Sequence, residues 1–296
     1  MNLELRKPTM KDYYTATECT WCDGCGDYGI WSAVRLACVE LEYQPHDVLL
    51  AFDIGCHGNM SDKIGGCYRA HGLHGRILPF AAGAALANPK VHVLAAGGDG
   101  ATFSEGANHL VHAVRSNYPM VFVMHNNGNY GLTIGQASAV TPQGMVMNSS
   151  PNGIPEATLN SMDLIFSLAP TFVARGVSYD IPHMTAMIKE GFKHKGFAYI
   201  DILQACPTFN KQMTNKWLRE RVYKIEDIQG YDASDFEKAR KVAVESTDKI
   251  GIGVLYRAKD ARPSFYDRLV PRQGKTTTLV EEVQKQDISE LMKEFI

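Results

Sequence analysis

The chain has no excess of charge: 30 Lys and Arg stand against 32 Asp and Glu in 296 residues, a net of −2. Bulk electrostatics therefore steers it toward neither nucleic acid nor an anionic membrane surface. It has no run approaching the roughly 18 apolar residues of a membrane span, and its opening residues, MNLELRKPTMKD, lack the apolar core of a secretion signal. We expect a cytoplasmic protein with no nucleic-acid and no membrane partner. Cysteine is scarce and odd in number, seven in all, which argues against a disulfide framework and leaves metal ligation or core packing. There is no internal repeat and no low-complexity tract. Two phosphate-binding fingerprints are also missing. A Rossmann motif at Gly98-Asp-Gly100 would need a third glycine where Phe103 stands, and a P-loop at Gly274-Lys275-Thr276 would need an upstream glycine where Leu269 stands.

What is there is 45% hydrophobic residues, enough for a substantial core, in short apolar runs that alternate with amphipathic stretches. That pattern predicts an α/β fold, a mostly parallel sheet with helices on both faces. Strands are expected at Val48–Phe52, Val91–Ala96, Met120–Met124, Thr171–Ala174 and Phe197–Ile202, and helices at Tyr28–Leu41, Ser104–Arg115 and Pro182–Lys193. Phe103, Ala107, Leu110 and Val114 recur at helical spacing as one buried stripe, and Ile30, Val34, Ala37 and Leu41 repeat it. Small residues crowd Gly55 to Asn88, where the backbone turns sharply or lets a ligand approach. Beyond Pro207 charge rises. A helix at Ser234–Glu245, a strand at Ile250–Tyr256 and a last helix near Leu279–Phe295 suggest a main domain over 1–210 and a C-terminal extension over 211–296, packing on a partner subunit or forming a solvated lobe.

The stretch Val91 to Gly106 reads as a strand, a glycine turn and a helix. Asn127 follows Asp99 by twenty-eight residues, again just past a strand. A right-handed crossover between parallel strands puts both residues on the carboxyl-terminal edge of the sheet, where open α/β sheets bind ligands. A carboxylate and an amide oxygen facing one point suit Mg²⁺ or Ca²⁺, and glycine amides beside a helix start suit phosphate oxygens. Together they make a site for a metal-bound diphosphate. Taken alone, Gly-Asp-Gly is most often only a turn; the joint spacing and strand context give it meaning.

Gly98-Asp-Gly100 followed by Asn126-Asn127 resembles the thiamine diphosphate and Mg²⁺ signature of thiamine enzymes. Asn129-Tyr-Gly-Leu-Thr-Ile-Gly-Gln136 narrows the resemblance to the beta subunit of the 2-oxoacid:ferredoxin oxidoreductases. The likeness covers Cys22 to Asn210, and Ile252-Gly-Val-Leu-Tyr-Arg257 resembles that family's C-terminal strand. It implies that Asp99 and Asn127 bind Mg²⁺ by side chain and Asn129 by its carbonyl. Gly98, Gly100, Ala101, Tyr130, Gly131 and Leu132 would lie along the cofactor, and His74, in a His-Gly-Arg turn, near it.

The family's Trp-Cys-Pro-Gly-Cys-Gly stretch falls on Trp21-Cys22-Asp-Gly-Cys25-Gly26, with Asp23 where proline is usual. The resemblance implies a [4Fe-4S] cluster held by Cys22, Cys25, Cys56 and Cys206. Four thiolates are also a zinc set, but beside thiamine an electron acceptor has a task and zinc has none. Cys56 and Cys206 both follow predicted strands, which brings them to the same edge as Asp99. Cys19 precedes the family motif and is read as a bystander, Cys38 as core packing and Cys67 as a loop residue. His57 and Arg69 are candidates to meet a substrate carboxylate.

The implied reaction is oxidative decarboxylation of a 2-oxoacid, with 2-oxoglutarate favoured over pyruvate, to an acyl thioester of coenzyme A, with electrons passing through the cluster to ferredoxin. Only one nucleotide-like unit is present, so the domain carrying the activating glutamate is expected on an alpha subunit, in an alpha2beta2 assembly that alone is active. Two alternatives keep part of the pattern: a non-redox thiamine-dependent decarboxylase or carboligase, and an iron–sulfur electron-transfer subunit with a vestigial thiamine fold.

Overall fold

A computed structural model describes residues 6–245, 248–283 and 287–295. Eight strands, β1 (Val48–Phe52), β2 (Tyr68–His71), β3 (His92–Gly98), β4 (Met120–Asn126), β5 (Phe172–Val177), β6 (Phe197–Leu203), β7 (Val222–Lys224) and β8 (Ile250–Arg257), form one sheet in the order β2-β1-β3-β4-β6-β5-β8-β7. All neighbours are parallel except β5 and β8. The helices used below are α1 (Asp27–Glu40), α2 (Met60–Lys63), α3 (Ile77–Ala87), α4 (Ala107–Ser116), α5 (Ser161–Ser167), α6 (Ile181–Lys193), α7 (Asn215–Arg221) and α8 (Phe236–Val244).

The strand pattern explains the layering. Val48, Leu50 and Phe52 of β1, Leu94 and Ala96 of β3, and Ala198, Ile200 and Ile202 of β6 join the core cluster under α1 and α6. The alternate residues Ala51, Val93, Ala95, Phe122, Met124 and Tyr199 join the cluster under α3, α4, α5 and α8. Successive strand residues face opposite sides, so near-continuous apolar runs are what a sheet buried on both faces requires. Each large core ring contributes accordingly: truncating Phe122, 1% exposed, to Ala would cost about 3–5 kcal/mol.

The five expected strands and three expected helices of the main domain are all present, with ends moved by a few residues. The helix expected from Ser104 begins later. Ala101–Glu105 winds as a π-helical turn, and α4 follows from Ala107. The expected helix over Leu279–Phe295 is interrupted. Leu279–Glu282 ends at Val283, whose ψ of 112° is extended, Ser289–Met292 forms a second short piece, and positions 284–286 lie outside the described residues. Beyond residue 210, β7 and β8 complete the sheet through the antiparallel β5–β8 pair. Among the described residues no helix is long and apolar enough to cross a membrane.

One topological feature positions the site. From β1 the chain runs outward to β2 and then returns to β3 on the other side of β1. The direction of travel reverses between β1 and β3, so the loops after these two strands part and leave a crevice at the carboxyl-terminal edge.

Candidate active site

Three strand-end loops build the crevice. After β1, Asp53 accepts hydrogen bonds from the backbone N–H groups of Ile54 (2.7 Å) and Gly75 (2.8 Å), which ties this loop to the His74-Gly75-Arg76 turn. Gly75 has φ 69°, and a Cβ there would stand 2.6 Å from Glu105 Cβ, so only glycine lets the turn rest on the π-helical segment.

After β3 comes Asp99, fully buried. It accepts from the Asn127 backbone N–H at 3.1 Å and from the Ser138 hydroxyl. Burial outweighs these bonds and pushes its carboxyl up to about 7. A cation beside a carboxylate held in this way would favour its ionised form.

After β4, the Asn127 Oδ1 accepts from the Asn129 N–H at 3.1 Å, and its carbonyl accepts from the side chains of Asn129 (3.0 Å) and Asn210 (2.9 Å). Asn127 is thereby fixed beside Asp99. A narrow cleft opens here, lined by Ile54, Gly55, Cys56, His57, His74, Gly98, Gly100, Ala101, Asn127, Asn129, Tyr130, Gly131, Leu132 and Thr133. Every cofactor-contact candidate read from the sequence except the buried Asp99 lines this one cleft. The larger cleft of about 900 Å³ beside the Ile225–Lys259 segment contains none of them.

Four cysteines approach the same edge from far apart in sequence. The Cys25 N–H donates to the Cys22 carbonyl at 3.0 Å, forming a tight turn before α1. Trp21 Nε1 donates to the Cys56 carbonyl at 2.7 Å, and Gly26 N–H to the Ala205 carbonyl at 3.3 Å, so the turn is tethered to both distant cysteines. A Cβ on Gly131 would stand 3.4 Å from Cys56 Sγ and 3.9 Å from Cys206 Sγ. Gly131 therefore brings bare backbone against both sulfurs, and Cys56 itself reaches the cleft lining.

Burial first, then the Asp27 carboxylate and the neighbouring Cys206 and Cys22, push the Cys56 thiol up to about 12; burial and Asp27 also raise Cys25. Thiols crowded in this way ionise only against a cationic centre. Among the described residues no group of three or more Cys, His, Asp or Glu is arranged to hold a metal ion. Cys38 is buried in the core cluster under α1, while Cys19 and Cys67 are half-buried at its margin. Arg69 lies on β2 and donates to the Ser61 carbonyl at 2.8 Å, and it is not among the residues lining the cleft.

Two sets of side-chain contacts at the site, around Asp27–His125 and around Glu105–Tyr130, are not foreseen by the sequence. Asp27 and His125 are each 1% exposed and meet at 2.8 Å. The His57 ring lies tilted against His125, centroids 5.2 Å apart. Burial, then His125, lowers His57 to about 3, so it is neutral and lies against Gly98, 3.1 Å from where a Cβ would be. The second group centres on Glu105, which accepts from the Tyr130 hydroxyl at 2.9 and 3.1 Å and lies 3.9 Å from His74 Nδ1. Asp27 reads as part of the cysteine turn and His125 as the end of an apolar strand; only the fold brings them together.

The chain is similar to known proteins. The family described as thiamine pyrophosphate enzyme, C-terminal TPP binding domain, matches residues 53–202, and the family of the C terminal part of the pyruvate ferredoxin oxidoreductase beta subunit matches residues 206–273. The 2-oxoacid:ferredoxin oxidoreductase subunit beta of Saccharolobus solfataricus is 38% identical over 291 residues, covering 90% of this chain and 95% of that protein. The 2-oxoglutarate oxidoreductase subunit KorB of Mycobacterium tuberculosis is 35% identical over 219 residues, 73% of this chain and 58% of that protein. Among solved structures, the 2-oxoglutarate:ferredoxin oxidoreductase of Magnetococcus marinus, with 2-oxoglutarate, coenzyme A and succinyl-CoA bound, superposes with a TM-score of 0.86 at 32% identity. The match covers 99% of this chain and 97% of that one.

Proposed function

Because this chain belongs to the beta subunits of the 2-oxoacid:ferredoxin oxidoreductases, we propose that its cleft holds thiamine diphosphate with Mg²⁺ and that Cys22, Cys25, Cys56 and Cys206 hold a [4Fe-4S] cluster. As such a subunit it serves the oxidation of a 2-oxoacid with ferredoxin as acceptor. We read the full reaction as CoA-dependent decarboxylation to an acyl thioester and CO2. The favoured substrate is 2-oxoglutarate, with pyruvate next, because 2-oxoglutarate stands in the names of the KorB relatives and of the matched structure.

The single observation that carries this reading is the meeting of Asp99 and Asn127 at adjacent strand ends, with two cysteine sulfurs across Gly131. A divalent ion would offset the cost of burying an ionised Asp99, and the Asn127 side-chain oxygen and Asn129 carbonyl are hard donors suited to Mg²⁺. The backbone of Gly98 and Gly100 and the Ala101 N–H, at the start of a helical turn, suit a diphosphate. A four-thiol set spread over three loops suits a multi-atom cluster better than a single ion.

When bound, thiamine diphosphate supplies the carbanion chemistry that releases CO2 from the 2-oxoacid, and the cluster supplies a one-electron acceptor. The chain's own residues do the rest. Asp99 and Asn127 fix the ion, Tyr130, Leu132 and His74 wall the cleft against water, and neutral His57 backs Gly98 without adding charge. The described residues place no glutamate among the cleft lining, so the activating glutamate and the facing wall are assigned to the alpha subunit, in an alpha2beta2 assembly. Residues 211–296 are proposed to pack partly on that subunit.

The test is anaerobic co-purification with the alpha subunit, followed by ferredoxin reduction with 2-oxoglutarate, pyruvate and branched-chain 2-oxoacids in the presence of coenzyme A. Reduction that needs the 2-oxoacid, coenzyme A and both subunits is expected. Thiamine-dependent decarboxylation without any ferredoxin reduction, or turnover by this chain alone, would overturn it.

A further inference from the structure

The redox reading gives electrons a way into the four-cysteine site but leaves open where they leave this chain. Helix α7 lies against the cysteine edge. Its Leu218, fully buried, packs with Val177 and Leu203, the last residues of β5 and β6. One residue further on, Ser178 and Gln204 close around Gly26: a Cβ there would stand 2.5 Å from both Ser178 Oγ and Gln204 Cγ. Gln204 Nε2 also lies 3.6 Å from Cys25 Sγ. The Arg219 guanidinium rests 3.9 Å over the ring of Tyr179, the residue after Ser178. A continuous line of packed groups thus runs from Cys25 through Gly26, Ser178 and Tyr179 to Arg219.

The outer surface of this helix is basic. Lys216 and Arg219 are exposed, and Arg221 is held 4.4 Å over Trp217. Lys211 bonds the Pro207 carbonyl, directly after Cys206, and Lys249 caps the Glu220 carbonyl at 3.4 Å. Acids near these cations include Glu220, facing Arg221 at 3.6 Å, Asp180, paired with Lys224 at 2.9 Å, and Glu226 and Asp227, which also act on Lys224. Lys211, Lys216 and Arg219 have no ion-pair partner among the described residues. In a chain of net charge −2, this is a local positive field at the rim of the proposed cluster.

We propose that α7 and the Cys206–Lys211 turn form the docking surface for the electron carrier, a small protein with an acidic face around its own redox centre. The inference rests on the redox reading above. Permanent interfaces between subunits are apolar, whereas electron-transfer encounters are small and use complementary charge to set orientation and rate. A charged helix that turns Leu218 fully and Trp217 partly inward fits the second kind. Each docking moves one electron from the cluster to the carrier. Two oxidised carriers are therefore reduced for every 2-oxoacid and coenzyme A converted to acyl thioester, CO2 and one proton.

The test uses the assembled alpha–beta enzyme with Lys216→Glu and Arg219→Glu combined, and a ferredoxin of acidic isoelectric point. Calorimetric binding of oxidised ferredoxin to oxidised enzyme, at low and high salt, reads docking without turnover. Reduction of the enzyme's cluster by 2-oxoacid, followed by EPR with no ferredoxin present, reads the rest of the machinery. The expected result is normal assembly and cluster reduction, with ferredoxin bound about tenfold or more weakly at low salt and the wild-type salt dependence flattened. Unchanged affinity with normal cluster reduction would overturn the docking surface while leaving the redox reading intact. Failure of the variant to assemble with the alpha subunit would reassign the face to the alpha–beta interface and overturn the proposal. Absence of cluster reduction in the wild-type enzyme would overturn the redox reading and the docking surface together.

Discussion

Gly100→Ala tests how the cleft is walled. A Cβ at this position would stand 2.5 Å from both Cε1 and Cζ of Tyr130, closer than carbon atoms approach, so the ring must leave. Leaving breaks the hydroxyl's contacts with the Glu105 carboxylate, at 2.9 and 3.1 Å, and the edge contact with His74, centroids 5.7 Å apart. A hydrogen bond to a charged group is worth about 1.5–3 kcal/mol and an aromatic edge contact about 0.5–1.5 kcal/mol. Glu105 is 39% exposed, so the lower ends apply and the sum is about 2 kcal/mol. If thiamine diphosphate needs Tyr130 in place, its dissociation constant rises about 30-fold, at tenfold per 1.4 kcal/mol. Equilibrium dialysis of the assembled enzyme at saturating Mg²⁺ measures this. Tyr130→Ala removes the clashing ring, so the double variant should bind no worse than Tyr130→Ala alone, a strong non-additivity. Binding by Gly100→Ala within about threefold of wild type, or simple additivity in the double variant, would refute the assignment of Tyr130 as the wall.

Other outcomes follow from the same geometry. Asp99→Asn removes the negative charge the cation needs, and the Mg²⁺-dependent rise in melting temperature on adding thiamine diphosphate should vanish. A retained rise would remove Asp99 from the ligand set. Gly83 sits inside α3 with nothing within 4 Å of where a Cβ would stand, so Gly83→Ala should stabilise by about 0.5–1 kcal/mol, read as a raised melting temperature. His194 bonds Thr171 at 2.8 Å, and burial, then the Arg257 charge, lowers it to about 4. The unfolded chain takes up this proton below about pH 6.5 and the folded chain does not, so its contribution, present above that pH, is lost as pH falls toward 4. His194→Gln should flatten the fall in stability over that window; an unchanged slope would exclude it.

Where local pattern and long-range packing agree, the sequence was legible. β1 occupies Val48–Phe52 as expected because its apolar run is bounded on both sides by turn residues. The strand-end rule placed Asp99, Asn127, Cys56 and Cys206 on one edge because it needs only parallel strands and crossovers. α3 escaped notice because Ile77–Ala87 is apolar on every side, with Phe80 left 50% exposed, and so carries no period to read. β2 escaped because Tyr68–His71 is a four-residue edge strand, largely exposed, with β1 as its one strand neighbour in the sheet of described residues. The Asp27–His125 and Glu105–Tyr130 contacts join residues 98 and 25 positions apart, and neither partner announces the other in sequence. The π-helical turn at Ala101–Glu105 looks like ordinary helix in sequence, yet it carries Glu105 to Tyr130 and His74.

The central claim is that Cys22 and Cys25 join two distant cysteines around one iron–sulfur cluster while Cys19 stands apart. Iron and acid-labile sulfide, assayed after anaerobic purification of the assembled enzyme, test it most directly. Cys22→Ser should lose both, and Cys19→Ser should keep both at the wild-type level. Iron retained in Cys22→Ser, or lost in Cys19→Ser, would contradict it.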